Sequence, residues 1–100
     1  MNDYPSIPEI RAAYPEPIKS GWGGGGAGTY CVGGAFCLAT GRDLPFPSDS
    51  ELSQHMRTLQ PSMDGYAAFL HARAIIIAND DGNFDEAWAS LAQALAGAQV

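Results

Sequence analysis

Residues 75–88, IIIANDDGNFDEAW, place an Asn-Asp-Asp-Gly turn between an apolar run and an aromatic helix start. Asn79 or Gly82 can take the left-handed backbone conformation that commonly ends a helix. Asn83 can then cap a following helix, and Glu86 at the third helical position completes the capping arrangement. The stretch therefore predicts a joint between two helices.

The same stretch is also a candidate cation site, because it holds four carboxylates: Asp80, Asp81, Asp85 and Glu86. An EF-hand loop with Gly82 at its sixth position would need oxygen ligands at Ile77 and Trp88, so that motif is excluded. Acids in the first turn of a helix are favoured by its dipole, which accounts for two of the four. Asp80 and Asp81 remain a weak candidate for a cation, and no other metal site is predicted.

Apolar periodicity predicts a helix on each side of this joint. The first begins at Ser62 or Asp64 and runs to about Ala78, with one broad apolar face formed by Tyr66, Phe69, Leu70, Ala74 and Ile77. The second covers about 84 to 97. Its apolar stripe consists of Phe84, Trp88, Leu91 and Leu95, at the spacing of an amphipathic helix.

A third helix, over about 49 to 59, has the clearest start signal in the chain. Ser48 and Glu51 form a capping box, and Leu52, Met56 and Leu59 follow at helical spacing. Pro61 ends it.

Residues 29–41, TYCVGGAFCLATG, predict a buried central helix that ends at Gly41. Small residues at 27, 31, 34 and 35 leave one side nearly flat, so that another helix could pack unusually close. Cys31 and Cys37 would point about 120° apart on such a helix, and we expect both to be reduced and buried.

The N-terminal part is less regular. Residues 1–8 predict an irregular arm, Ser6 and Glu9 predict a short capped helix, and residues 19–28 form a glycine-rich loop. Four to five short helices without a convincing pair of strands predict a single all-α domain of 100 residues.

Composition excludes several function classes. The chain has 5 basic and 11 acidic residues, a net charge of −6, and its bases are scattered, so binding to nucleic acid through phosphate contacts is not expected. No apolar stretch approaches the roughly 20 residues that a membrane span needs. The N-terminus also lacks the features of a secretory signal, and we expect a cytoplasmic protein.

Cys31 is the strongest catalytic candidate. A thiol in the first turn of a helix is activated by the helix dipole, as in cysteine hydrolases. His55 or His71 could supply the base, and Asn79 or Asp80 could orient it. A buried structural cysteine is the competing interpretation. Zinc ligation by both cysteines and both histidines is disfavoured by the Cys-x5-Cys spacing.

The glycine-rich loop is a candidate anion site, with Gly24, Gly25, Gly26 and Thr29 as its residues. Gly21, Gly23 and Gly26 formally match a dinucleotide fingerprint. However, no strand precedes them and no βαβ unit follows. We therefore predict no cofactor.

Several short motifs carry a resemblance: a Gly-Trp pair before the glycine-rich loop, then residues 30–35 (YCVGGA), 77–80 (IAND) and 84–87 (FDEA). Their order resembles a group of small uncharacterised bacterial and phage proteins with a "YC-x-x-GA" helix and a later helix ending in "ND". The likeness covers most of residues 18–95. It implies a helical fold and a bacterial or phage setting, and it implies no activity.

Three functional hypotheses follow, and the weakest is an anion or nucleotide binder that uses residues 21–30. The first is a small helical binding or interaction module that contacts another protein or a second copy of itself, without membrane or direct nucleic-acid contact. The second is a cysteine-dependent hydrolase or transferase that uses Cys31.

Overall fold

Five α-helices build the chain in the computed structural model, which describes residues 5–18 and 30–98. The helices are Ile7–Ala13 (α1), Val32–Ala39 (α2), Asp49–Leu59 (α3), Gly65–Asp80 (α4) and Phe84–Ala98 (α5). The described residues contain no strand. The prediction of a single all-α domain is therefore confirmed.

Local capping starts three of these helices as predicted. Ser6 and Glu9 form the capping box of α1, and Ser48 and Glu51 form that of α3. Asn83 Oδ1 accepts from the Glu86 N–H at 3.4 Å at the start of α5. Each cap satisfies N–H groups that have no partner inside the helix, so the start positions are encoded by neighbouring residues.

The joint between α4 and α5 is a Schellman motif. Gly82 has φ +80°, its N–H donates to Asn79 O at 3.0 Å, and the Asn83 N–H donates to Ala78 O at 2.9 Å. The motif satisfies the last carbonyls of α4 and passes directly into the cap of α5. Asp80 and Asp81 lie exposed on this turn.

The core lies where α4 packs against α5 and α3, and α2 contacts all three of these helices. Its fully buried large side chains include Phe36, Leu52, Met56, Ile75 and Leu91. The predicted stripes of α3 and α5 face inward, since Leu52, Met56, Trp88, Leu91 and Leu95 are all buried. Ion pairing between the exposed Arg11 and Asp85 side chains links α1 to α5, which adds little stability in solvent.

The apolar face predicted for α4 points away from the core. Tyr66 is 73% exposed, Leu70 47% and Ile77 50%. The buried face is the opposite one and consists of Ala68, Ala72, Ile75, Ala78 and Asn79. Because α4 contacts α2, α3 and α5, its inner side has room mainly for small residues, which a rule based on large apolar side chains overlooks.

The start of α2 also differs from the prediction. The helix begins at Val32 rather than near residue 29, because Cys31 is extended (φ −97°, ψ 179°) and acts as the N-cap. Its far end agrees, with Gly41 at φ +90°. The flat side of α2 receives a loop as well as a helix: a Cβ on Gly34 would lie 1.7 Å from the Pro45 carbonyl oxygen.

Candidate functional site

The α2 start is the first site to consider, because it contains Cys31. We use this name for Cys31, Val32 and Gly34, for Pro45 and Asn79, which bind them, and for Ile18, which binds Asn79. Cys31 is 0% exposed, and its Sγ accepts from the Gly34 N–H at 3.3 Å. The Cys31 N–H donates to Pro45 O at 3.1 Å. The thiol therefore serves as the cap of a buried helix.

Asn79 is the second predicted residue at the α2 start. Its Oδ1 accepts from the Val32 N–H at 2.8 Å, and its Nδ2 donates to the Ile18 carbonyl at 3.0 Å. The side chain is 0% exposed, so both ends of the amide bind backbone groups in the interior. Asn79 thereby fixes the end of α4 to the α2 start and to the segment before the glycine-rich loop.

His55 lies at the other end of α2. Its Nε2 is 2.6 Å from Thr40 Oγ1, and its ring contacts Phe36 at a centroid distance of 5.5 Å. Thr40 Oγ1 donates to Phe36 O at 2.6 Å. The same hydroxyl lies 3.2 Å from the Cys37 carbonyl oxygen, so Thr40 links His55 to the last turn of α2. The nine-residue rise from Cys31 to Thr40 is about 13 Å along α2, which separates the two ends.

His71 is half-buried on α4, eight residues before Asn79. That spacing amounts to about 12 Å along the helix axis. The structure therefore brings Asn79, and neither histidine, to the helix end that Cys31 caps. Asp80 follows Asn79 on the exposed turn.

Burial determines the protonation of the groups around α2. It raises the pKa of the Cys37 thiol to about 12, and the neighbouring Cys31 adds to the rise. Burial also lowers the pKa of His55, and the Arg42 charge lowers it further. Cys37 is thus a protonated thiol at neutral pH, and His55 favours its neutral form. Both cysteines are buried and neither forms a disulfide, as predicted.

The remaining predictions concern anion binding, metal binding and membrane insertion. Gly24, Gly25, Gly26 and Thr29, the candidate anion site, lie outside the described residues. Residues 5–18 and 30–98 contain no group of three or more His, Cys, Asp or Glu side chains arranged to hold a metal ion. None of the helices in these ranges is long and apolar enough to cross a membrane.

The outward face of α4 is the feature that the sequence patterns did not identify as a surface. We use this name for the side chains of Tyr66, Phe69, Leu70, Arg73, Ile76 and Ile77. Phe69 and Ile76 are half-buried and line a shallow groove of about 410 Å³ with Pro47, Ser48, Asp49 and Ser50 at the start of α3. The signal that could have revealed this surface is the second apolar stripe of α4, made mostly of alanines.

Charge is sparse on this face. Arg73 is exposed near the middle of the outward face and has no ion-pair partner in the described part of the chain. The face therefore combines apolar side chains with a single uncompensated positive charge. Contiguous exposed apolar surface of this kind commonly marks a contact site for another macromolecule.

Comparison of the chain with protein-family models, with curated proteins and with solved structures found no match. The resemblance to small bacterial and phage proteins therefore stays a prediction. Any function has to be argued from the geometry of the α2 start and of the outward face of α4.

Proposed function

We propose that the chain is a small helical binding module whose contact surface is the outward face of α4. One observation carries this proposal: three large apolar side chains on one side of one helix are 47% to 73% exposed. Their exposed area leaves unrealised part of the roughly 1.5–3 kcal/mol that full burial of a large apolar side chain contributes. A partner that covers the face supplies that missing burial.

The shape of the face supports a helical or extended partner. The apolar side chains extend along residues 66–77 of α4, about 17 Å, and the groove beside Phe69 and Ile76 follows one edge. Recognition between amphipathic helices uses such a stripe, with anchors at i, i+4 and i+7. Tyr66 is the largest anchor and offers a hydroxyl at the rim of the contact.

A photo-crosslinking experiment tests the proposal. A photoreactive phenylalanine analogue at position 66 is expected to give a discrete adduct when the protein is produced at its native level in its own cells. Ile77→Glu in the same chain is expected to abolish that adduct, because a carboxylate would be buried in the contact. The analogue at Ala89, an exposed position on α5, is the matched control. Equal adducts from positions 66 and 89, or none, would contradict the proposal.

The cysteine-dependent alternative depends on Cys31, the N-cap of α2, and on Asn79 nearby. The complete burial of Cys31 and the use of its sulfur as a helix cap favour a structural role. We expect iodoacetamide to modify Cys31 and Cys37 only after denaturation, as followed by mass spectrometry. Rapid modification of Cys31 in the folded protein would favour the alternative instead.

A further inference from the structure

The outward face of α4 has the spacing of a helix that pairs with a copy of itself, and we propose that its occupant is a second copy of this chain in antiparallel orientation. This inference rests on the proposed function, of which it names the partner. Tyr66, Leu70, Arg73 and Ile77 are separated by four, three and four residues. Such alternation of fours and threes forms the seam of a two-stranded coiled coil.

The seam is symmetric about its midpoint. A two-fold axis that crosses α4 between Leu70 and Arg73 places Tyr66 opposite Ile77 of the second copy, and Leu70 opposite its Arg73. The three most exposed apolar side chains are then covered in both copies by one operation. Closed two-fold contacts of this kind are the commonest in homo-oligomers, because a self-complementary patch needs no other surface.

The two flanks of the seam fit the same arrangement. Phe69 and Ile76 form one flank, and Ala67 and Ala74 form the other. A two-fold axis perpendicular to the helix pair keeps like flanks together, so Phe69 lies beside Ile76 of the second copy and Ala67 beside its Ala74. The large side chains then close the groove along Phe69 and Ile76, while the alanine flank lets the helices approach closely.

The charge of Arg73 selects the antiparallel orientation. In a parallel pair the two Arg73 side chains would face each other directly, and the helix dipoles would repel. In the antiparallel pair they are offset, and each arginine stem covers Leu70 while its guanidinium reaches solvent. The net charge of −6 on each copy opposes association at long range. Added salt is therefore expected to tighten the dimer.

The size of the contact indicates a reversible dimer. The large apolar side chains of the outward face are only partly exposed, so they offer less than about 1,000 Å² in total from the two copies, an area typical of transient contacts. A single helix from each copy, α4, provides nearly all of this area. The dimer is therefore expected to dissociate on dilution.

Sedimentation equilibrium tests the inference on the purified full chain, with monomer and dimer distinguished by mass. The wild type is expected to shift from monomer to dimer below about 1 mM, more readily at high salt. Leu70→Glu is expected to remain monomeric, and Ala89→Glu, which adds the same charge on α5, to dimerise like the wild type. Arg73→Leu is expected to tighten the dimer at least about tenfold, since it removes the polar interruption of the seam.

A wild-type protein that stays monomeric up to about 1 mM would overturn the inference. So would dimerisation that Leu70→Glu leaves intact. An adduct with a different protein from position 66 in cells, together with a monomeric purified chain, would overturn the second copy as partner and leave the binding module standing. Absence of both dimer and adduct would contradict the two proposals together.

Discussion

The α2 start and the outward face of α4 use their residues in opposite ways. At the α2 start, the residue types associated with catalysis, Cys31 and Asn79, are buried and hydrogen-bonded to backbone groups. On the outward face, side chains typical of a core stand in solvent. The comparison shows that a side chain is available for binding or catalysis only where the fold does not already occupy its polar atoms or cover its apolar surface.

This difference has a physical basis. The first N–H groups of a helix need acceptors, and α2 is buried too deeply for water to serve at its start. Cys31 and Asn79 supply two of those acceptors, so their polar atoms are occupied by the fold. The outward face has no such demand, since α4 obtains its burial from the alanine side.

The largest expected effect is that of Gly34→Ala at the α2 start. The new Cβ would lie 1.7 Å from the Pro45 carbonyl oxygen, so the backbone near Pro45 has to move and the Cys31 N–H loses its acceptor. We expect a loss of more than about 4 kcal/mol in the free energy of unfolding, measured by urea denaturation.

Gly33→Ala is the matched control for that substitution. Its Cβ would meet the flexible end of Leu52 at 3.0 Å and Pro47 Cγ at an ordinary contact distance of 3.5 Å, and alanine favours the helix by about 1 kcal/mol. The stability is expected to stay within about 1 kcal/mol of the wild type. Similar losses for both variants would show that the close approach of Pro45 is not what Gly34 provides.

The next largest effect is expected for Asn79→Ala. The Val32 N–H and the Ile18 carbonyl would lose their partner in the interior, and each unsatisfied group costs about 1–3 kcal/mol. We expect a total loss of about 3 kcal/mol by urea denaturation. Asn83→Ala, which removes an exposed cap, is expected to lose only about 1 kcal/mol. Equal losses would contradict the assigned role of Asn79.

A smaller effect on stability is expected when low pH protonates His55, at the far end of α2. His55 has a lowered pKa in the folded state, so the unfolded chain binds a proton first as the pH falls below its ordinary value of 6.5. The contribution of His55 to stability is therefore complete above pH 6.5 and declines as the pH falls through the lowered pKa. His55→Gln is expected to flatten this part of the stability curve in urea denaturation at a series of pH values. An unchanged slope would contradict burial of the neutral ring.

The smallest effect on stability is expected on the outward face. Leu70→Glu replaces a side chain that is 47% exposed, so the monomer's free energy of unfolding should change by no more than about 0.5 kcal/mol. Urea denaturation at low protein concentration measures this change. A loss comparable with that of Asn79→Ala would mean that the face contributes to the monomer fold rather than to binding.

The parts of the fold that depend on neighbouring residues could be predicted from the sequence. Ser48 and Glu51 mark the start of α3, and Asn83 and Glu86 mark that of α5, because each capping pair is three residues apart. The hydrophobic stripes of α3 and α5 also identify their buried faces, since one side of each helix is mostly polar.

The candidate site could not be predicted in the same way. Asn79 binds groups 47 and 61 residues away in the chain, so its role depends on the tertiary arrangement. The sequence singled out Asn79 and Cys31, but as parts of a catalytic group. On α4 both sides are apolar, so periodicity alone cannot decide which side the other helices cover.

The most direct test of the central claim is an amide ¹H–¹⁵N spectrum of the full chain recorded at protein concentrations from about 20 μM to about 1 mM. We expect concentration-dependent changes in amide chemical shift that cluster on residues 66–77 and spare Cys31, Gly34 and Asn79. Leu70→Glu should abolish these shifts. Shifts centred on the α2 start, or a spectrum that does not change with concentration, would contradict the central claim.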